Sequence, residues 1–192
     1  MVRNLPVRRY AFYPRPLKTE NIKIWYTNAD CFFNKVVELK SIICNAAVSP
    51  HLIAITEIKY KNNRSFSNSE INIDGYTFYS NDFTKDGRGV GVYVRKDMDS
   101  SVTYISSFQE NIVVNIKLQD NTKLLLGNIY RSPQSDIHND IELFNLISKV
   151  SSLNISQFVL VGDFNLPDID WNNWSSNQGS VSSKKFIDVL RD

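Results

Sequence analysis

Asp163, Asn165, Asp168 and Asp170 stand within eight residues of one another, in the stretch FVLVGDFNLPDIDW from Phe158 to Trp171. A fan of carboxylates opening from the end of a strand is a common way to hold acids at the edge of an α/β sheet, where ligands bind. The same residues in an Asx-rich turn would only cap backbone groups. From these side chains alone both readings stay open. The element that must carry them is the apolar run Phe158 to Val161, closed by Gly162, which reads as a buried strand. Pro167 keeps a helix from starting directly after it.

Three other segments end in the same way. Ile22 to Tyr26 (IKIWY) reads as a strand, followed by Thr27, Asn28, Ala29 and Asp30. Asp30 is placed to N-cap a helix over Cys31 to Ala47, where Phe33, Val36, Val37, Leu39, Ile42, Ile43 and Ala46 recur at helical spacing. Ser49-Pro50 stops that helix, and His51 follows as a surface or joint residue. Leu52 to Thr56 is a second buried strand, ending on Glu57. Strand, helix and strand at this spacing predict a right-handed βαβ unit, with Asn28, Asp30 and Glu57 emerging from one sheet edge. Taken singly, Glu57 could instead pair with Lys59 or Lys61. LLLGNIY ends on Tyr130 and Arg131, a hydroxyl donor and a planar donor fork suited to phosphate oxygens. A loop arginine in water is the alternative reading of Arg131.

Between these segments, Lys61 to Asn72 is a polar loop and Asp82 to Arg88 a charged turn. Tyr76–Ser80, Gly89–Arg95, Val102–Ile105, Ile112–Leu118 and Lys123–Tyr130 alternate as strands of an antiparallel meander. Ile137 to Val150 is an amphipathic helix with His138 exposed in its first turn, and Val181 to Leu190 begins another. Trp171 and Trp174 are expected to pack over the aspartate strand.

A length of 192 residues suits one domain with a sizeable core, and 42% hydrophobic with 22% charged residues is ordinary globular composition. The net charge of +2 divides unevenly. Residues 1–20 carry Arg3, Arg8, Arg9, Arg15 and Lys18 against Glu20, a net +4, and leave the remainder at −2. Residues 1–20 therefore read as a flexible basic arm: a solvated tail is the preferred reading, and the interleaving of Tyr10, Phe12 and Tyr13 with the arginines, as in single-strand-binding tails, is the alternative. A mildly acidic body over residues 21–192 is compatible with a cation site. Cys31 and Cys44 form no metal-ligand spacing and no disulfide framework, which points to reduced packing cysteines in an intracellular, nuclear or cytoplasmic protein. No apolar run has the length of a membrane span, and no secretory leader is evident.

The order and spacing of these strand ends resemble the endonuclease/exonuclease/phosphatase superfamily, whose members include DNase I-like nucleases, apurinic endonucleases and inositol polyphosphate phosphatases. LIAITEIK resembles its glutamate motif, GVGVYVR its mid-domain strand, LLGNIYRSP its tyrosine loop and VLVGDFNLPDIDW its aspartate motif. The wording of the last two is most similar to the endonuclease domains of non-LTR (LINE-like) retrotransposons, and the resemblance spans about residues 22–190. It implies a four-layer α/β sandwich, with two packed mixed β-sheets flanked by helices. It further implies that Glu57 holds Mg²⁺ or Mn²⁺ with Asp30 and Asn28 beside it, and that Tyr130 and Asn165 bind the scissile phosphate. Arg131 would touch phosphate or the DNA backbone. Asp163 would orient or deprotonate the attacking water, or protonate the leaving oxygen. The partners implied are DNA and a reverse transcriptase domain on a longer polyprotein.

Two further motifs of that superfamily, a strand with an aspartate and a Ser-Asp-His, have no counterpart here. The resemblance therefore implies an incomplete domain, missing its last strands and weakly active or inactive by itself. The competing expectations are a non-catalytic nucleic-acid-binding remnant and a phosphatase of the same superfamily.

Overall fold

In a computed structural model describing residues 21–59, 67–81, 88–105, 107–153, 155, 157–176 and 181–191, the chain begins with a βαβ unit. Ile24–Asn28 (β1) and Leu52–Thr56 (β2) lie parallel, with Asn28 opposite Thr56, and Phe32–Asn45 (α1) joins them. All five residues of β2 are buried, which is why LIAIT reads as an unbroken apolar run rather than an alternating one. Asn68–Ile71 (α2) is one turn closed by a Ser67–Glu70 capping box. It lies within the span expected to be a loop, whose residues 61–66 fall outside the described ones. Tyr76–Asn81 (β3) and Val90–Arg95 (β4) complete an antiparallel extension, so the first sheet has the order β1-β2-β4-β3.

The second sheet contains Ser100–Thr103 (β5), Asn111–Lys117 (β6), Lys123–Tyr130 (β7) and Gln157–Asp163 (β8), in that order. Ile137–Ser152 (α3) connects β7 to its parallel neighbour β8. The single meander expected over residues 76–130 is thus divided: β3 and β4 belong to one sheet and β5 to β7 to the other. Alternation reports only that a strand has two faces, and β4, buried on both, gives no sign of which sheet accepts it. Ile169–Asp170 (β9) and Ser175–Ser176 (β10) form a small hairpin carrying Trp171 and Trp174, before Val181–Arg191 (α4).

Three apolar clusters hold the layers together. Leu52, Ala54, Val90, Val92 and Val94 of the first sheet meet Ile112, Val114, Ile116, Leu124 and Leu126 of the second. Residues of opposite parity on β2, Ile53 and Ile55, face Phe32, Val36 and Leu39 of α1. Val113, Leu125 and Ile129 face Leu143, Phe144 and Ile147 of α3 and Phe186 of α4. The result is helix, sheet, sheet, helix: the four-layer α/β sandwich that the motifs imply. Each fully buried Leu or Ile contributes about 1.5–3 kcal/mol. Asn128 of β7 adds a polar tie between the sheets, its Nδ2 donating to the carbonyls of Ile55 at 2.9 Å and Gly91 at 3.0 Å.

Some details differ from the sequence reading. β1 runs two residues later than expected, so Asn28 ends the strand rather than following it. Asp30 does not cap α1: the N-cap residue is Cys31, which makes no side-chain cap bond. His51 is buried rather than exposed, and its Nδ1 accepts from the Lys23 amide at 2.9 Å, making it a joint residue between β1 and β2. β8 is half-buried rather than buried, because among the described residues it pairs on one side only. The basic arm at 1–20 lies outside the described residues. Among the described residues, no helix is long and apolar enough to cross a membrane.

Candidate active site

Each sheet contributes one parallel pair joined by a helix, so two pairs of C-terminal strand ends are available to carry side chains. They meet at one edge of the sandwich. Asn28, ending β1, donates through Nδ2 to Glu57 Oε1 at 2.7 Å and to Asp163 Oδ2 at 3.2 Å. One carboxamide therefore links a carboxylate following β2 to one ending β8, across the two sheets. Asp163 Oδ1 accepts the Asn165 amide at 3.2 Å.

The backbone at this edge is bent sharply. Asp30, Glu57 and Asn165 adopt φ of 42°, 56° and 46°, a left-handed region that costs a non-glycine residue energy and is concentrated at functional sites. Gly162 has φ 147°, and a Cβ there would stand 2.0 Å from the Ile129 carbonyl oxygen. Only glycine lets β8 approach β7 closely enough to deliver Asp163 beside Tyr130, its register partner.

Tyr130 is buried among the inter-sheet side chains. Its hydroxyl is pushed up to about 12, chiefly by burial and then by the negative charges of Glu57, Glu110 and Asp163, with Arg88 opposing. It remains a protonated donor across the physiological range. Burial also pushes the Glu110 carboxyl up, against the hydrogen bonds it accepts from the amides of Arg88 at 2.7 Å and Gly89 at 3.3 Å.

Arg88 is a member of this constellation that motif reading missed. Its Nη2 stands 2.9 Å from Glu57 Oε2 and 3.0 Å from Asp30 Oδ1. The signal available was an arginine just before GVGVYVR, which by itself reads as part of a charged turn. Two carboxylates converging on a guanidinium face a common cationic position. Mg²⁺ is usually held by one or two carboxylates together with water and substrate phosphate. Glu57 and Asp30 fit that donor set. Among the described residues no three His, Cys, Asp or Glu side chains form a complete metal cage.

Other candidates have different employment. Arg131, expected to reach phosphate or DNA, is buried. It forms a two-point ion pair with Asp140 (Nε to Oδ1 2.7 Å, Nη2 to Oδ2 3.0 Å) and donates through Nη1 to the Asn165 carbonyl at 3.0 Å. Asn165 Nδ2 returns a bond to the Arg131 carbonyl at 2.7 Å. Arg131 therefore fastens the loop after β8 to the end of β7, and its donor fork faces inward. Of the aspartate fan, Asp168 accepts from Ser183 Oγ at 2.6 Å, and Asp170 accepts from Asn173 Nδ2 at 2.7 Å and the Asn172 amide at 2.9 Å. The capping reading therefore holds for Asp170, which accepts backbone amides of its own turn, while Asp168 anchors the loop to α4 through a side chain. Both histidines lie elsewhere: His51 at the opposite end of β2 from Glu57, and His138 in the first turn of α3.

Beside Asp163 an open cleft of about 680 Å³ is lined by Tyr26, Asn28, Pro133, Asn165, Pro167 and Trp171, among others. Trp171 is 49% exposed, its ring meeting Trp174 and Phe186 edge-on, and Tyr26 is 40% exposed. The loop tryptophan thus lines a cleft beside the aspartate strand rather than covering it.

Comparison with known proteins follows the same lines. The model of the Endonuclease/Exonuclease/phosphatase family matches residues 27–187. Among solved structures, the endonuclease domain of TRAS1, a telomere-specific non-LTR retrotransposon, is similar with a TM-score of 0.60 at 15% identity. The match covers 88% of this chain and 70% of that domain. ANGEL2, a 2',3'-cyclic phosphatase, aligns with a TM-score of 0.47 at 16% identity, over 71% of this chain and 44% of that one. No curated protein matches the sequence.

Proposed function

The chain belongs to the Endonuclease/Exonuclease/phosphatase family, and from that premise we propose that it hydrolyses phosphodiester bonds in DNA with a divalent cation, Mg²⁺ or Mn²⁺. The observation that carries this reading is the Asn28 carboxamide holding Glu57 and Asp163 together from two different sheets. Motif, strand-end placement and hydrogen bonding converge on these three residues. Glu57, with Asp30, would hold the cation, which when bound polarises phosphoryl oxygens and offsets developing charge. Asp163 is the group placed to exchange a proton with the attacking water or the leaving oxygen. The protonated Tyr130 hydroxyl and the Asn165 carboxamide are the donors assigned to the phosphate. Arg131 acts by position, through the loop it holds.

The retrotransposon branch is supported by the wording of LLGNIYRSP and VLVGDFNLPDIDW. Under that reading a reverse transcriptase domain would accompany this one on a longer polypeptide. Nucleic acid is favoured over a small phosphoester because two half-exposed aromatic rings, Tyr26 and Trp171, share the cleft with Asp163. His51 and His138 both lie away from Asp163, so neither is assigned a part in its proton transfer.

The test is nicking of supercoiled plasmid in Mg²⁺ or Mn²⁺. Asp163→Asn should lower the rate by roughly 10²–10⁴-fold while leaving the melting temperature near that of the native chain. Nicking that survives the substitution would overturn the site. DNA binding without cleavage by the native chain would establish the non-catalytic reading instead. Release of inorganic phosphate from a monoester, with no nicking, would point to a phosphatase.

A further inference from the structure

Arg88 stands where the cation is assigned. Its Nη2 lies 2.9 Å from Glu57 Oε2 and 3.0 Å from Asp30 Oδ1, and those are the two carboxylates that would hold the ion. The rest of the residue is built differently from a permanent structural arginine. Its backbone is pinned, because the amides of Arg88 and Gly89 both donate to Glu110 Oε1. Its side chain is not locked in the same way: among the described residues, Nε is buried with no acceptor, and the side chain keeps 24% of its surface in solvent. Arg131 supplies the contrast within the same molecule. Its Nε and Nη2 both engage Asp140, and its side chain is 7% exposed.

Resting on the metal reading above, we propose that Arg88 is an exchangeable counter-cation. It neutralises and gathers Glu57 and Asp30 when no metal is bound, and it gives up Glu57 when the divalent ion arrives. The physical reason is charge. Glu57, Asp30 and Asp163 lie at one edge, with Asn28 bridging Glu57 to Asp163 and Arg88 bridging Glu57 to Asp30, and like charges gathered in this way repel. A guanidinium between two of them relieves that repulsion in the ion-free protein. Once a divalent ion binds Glu57, the same guanidinium becomes a like charge at its side, and its flexible arm can retreat while the backbone stays on Glu110. The residue that assembles the site therefore also lowers its affinity for metal.

The experiment is Mn²⁺ binding to the full chain, followed by titration calorimetry and by the electron paramagnetic resonance signal of free Mn²⁺, with thermal melting as a check on folding. Arg88→Gln should bind Mn²⁺ on the order of tenfold more tightly than the native chain, as removal of one like charge at a partly screened site requires. Arg88→Lys, which keeps the charge, should stay close to native. Glu57→Gln should lose binding. Equal or weaker binding by Arg88→Gln would overturn the exchange and make Arg88 a fixed support for Glu57. If Arg88→Gln melts early, the native chain decides. On adding diamagnetic Mg²⁺, the Arg88 guanidinium NMR signals should shift and narrow as the ion pair opens, and signals that stay in place would overturn the proposal. Binding lost in Glu57→Gln but indifferent to Arg88 would leave the metal reading intact and sink only the exchange. No Mn²⁺ binding by the native chain would sink both.

Discussion

Asp163 differs from Asp168 and Asp170 in what already binds it. Asp170 takes hydrogen bonds from residues two and three positions on in the hairpin, through the Asn172 amide and Asn173 Nδ2, and Asp168 is tied to Ser183 on α4. Asp163 receives one backbone amide and one Asn28 amide hydrogen and lines an open cleft. A carboxylate that lines a cleft beside a second carboxylate can do chemistry, whereas Asp170 is saturated by its own turn and Asp168 faces α4. Trp171 is the other residue-scale feature of this edge. Its half-exposed ring lines the same cleft and offers a face to a base. Trp171→Ala should weaken binding of a short single-stranded oligonucleotide by about 1–3 kcal/mol, the range for one lost base stack. Fluorescence anisotropy at fixed salt would measure it, and unchanged affinity would remove Trp171 from the interface.

At the scale of elements, the site loop depends on α3. Asp140 in its first turn is buried and accepts from Arg131, Ser135 and Ser182, so one carboxylate joins the end of β7, the loop after it and α4. Burial by itself would raise the Asp140 pKa, but the hydrogen bonds from Arg131, Ser182 and Ser135 and the Arg131 charge outweigh it, and the net shift is downward. A folded-state pKa below the unfolded value of about 3.9 means that the stabilisation is fully present above that value. It is lost as pH falls through the folded-state pKa. Asp140→Asn leaves the buried Arg131 without its counter-charge and should cost about 3–5 kcal/mol near neutral pH. Urea unfolding of both chains from pH 6 to pH 3 should show the gap closing towards the acid end. Gly162 makes a second demand at this scale. Gly162→Ala places a methyl group 2.0 Å from the Ile129 carbonyl oxygen, in a backbone conformation that side chains rarely adopt. The expected cost is about 3 kcal/mol or more, a fall in melting temperature of roughly 6–12 °C. Nicking should fall as well, because β8 can no longer bring Asp163 up to Asn28.

At the scale of the whole molecule, the proposed binding of DNA can be tested through the uneven distribution of charge along the sequence. Residues 1–20 carry a net +4, while the rest of the chain, which includes the cleft, is net negative. Affinity for a polyanion should therefore depend on that segment far more than on the body. Deleting residues 1–20 should reduce the slope of log K against log salt for single-stranded DNA by about 3, from roughly 0.7 per neutralised phosphate. An unchanged slope would assign the phosphate contacts to the body.

By themselves, the residues determined the pieces that depend on local chemistry. Apolar runs closed by Gly162, Glu57 and Tyr130-Arg131 marked three strand ends, helical spacing marked α1, α3 and α4, and four motifs in order marked the sandwich. Those signals are legible because strand and helix periods are short-range properties of the chain. Tertiary structure alone decided which strands share a sheet, because alternation in β4 and β6 carries no partner identity. It alone turned Arg131 inward to Asp140 and brought Arg88 to Glu57, thirty-one positions away in the sequence. An arginine in a loop has the same sequence signature whether it faces water, phosphate or a buried carboxylate. Which of these it meets is set by how the two βαβ units stack, a long-range consequence of burying one apolar face of each sheet against the other.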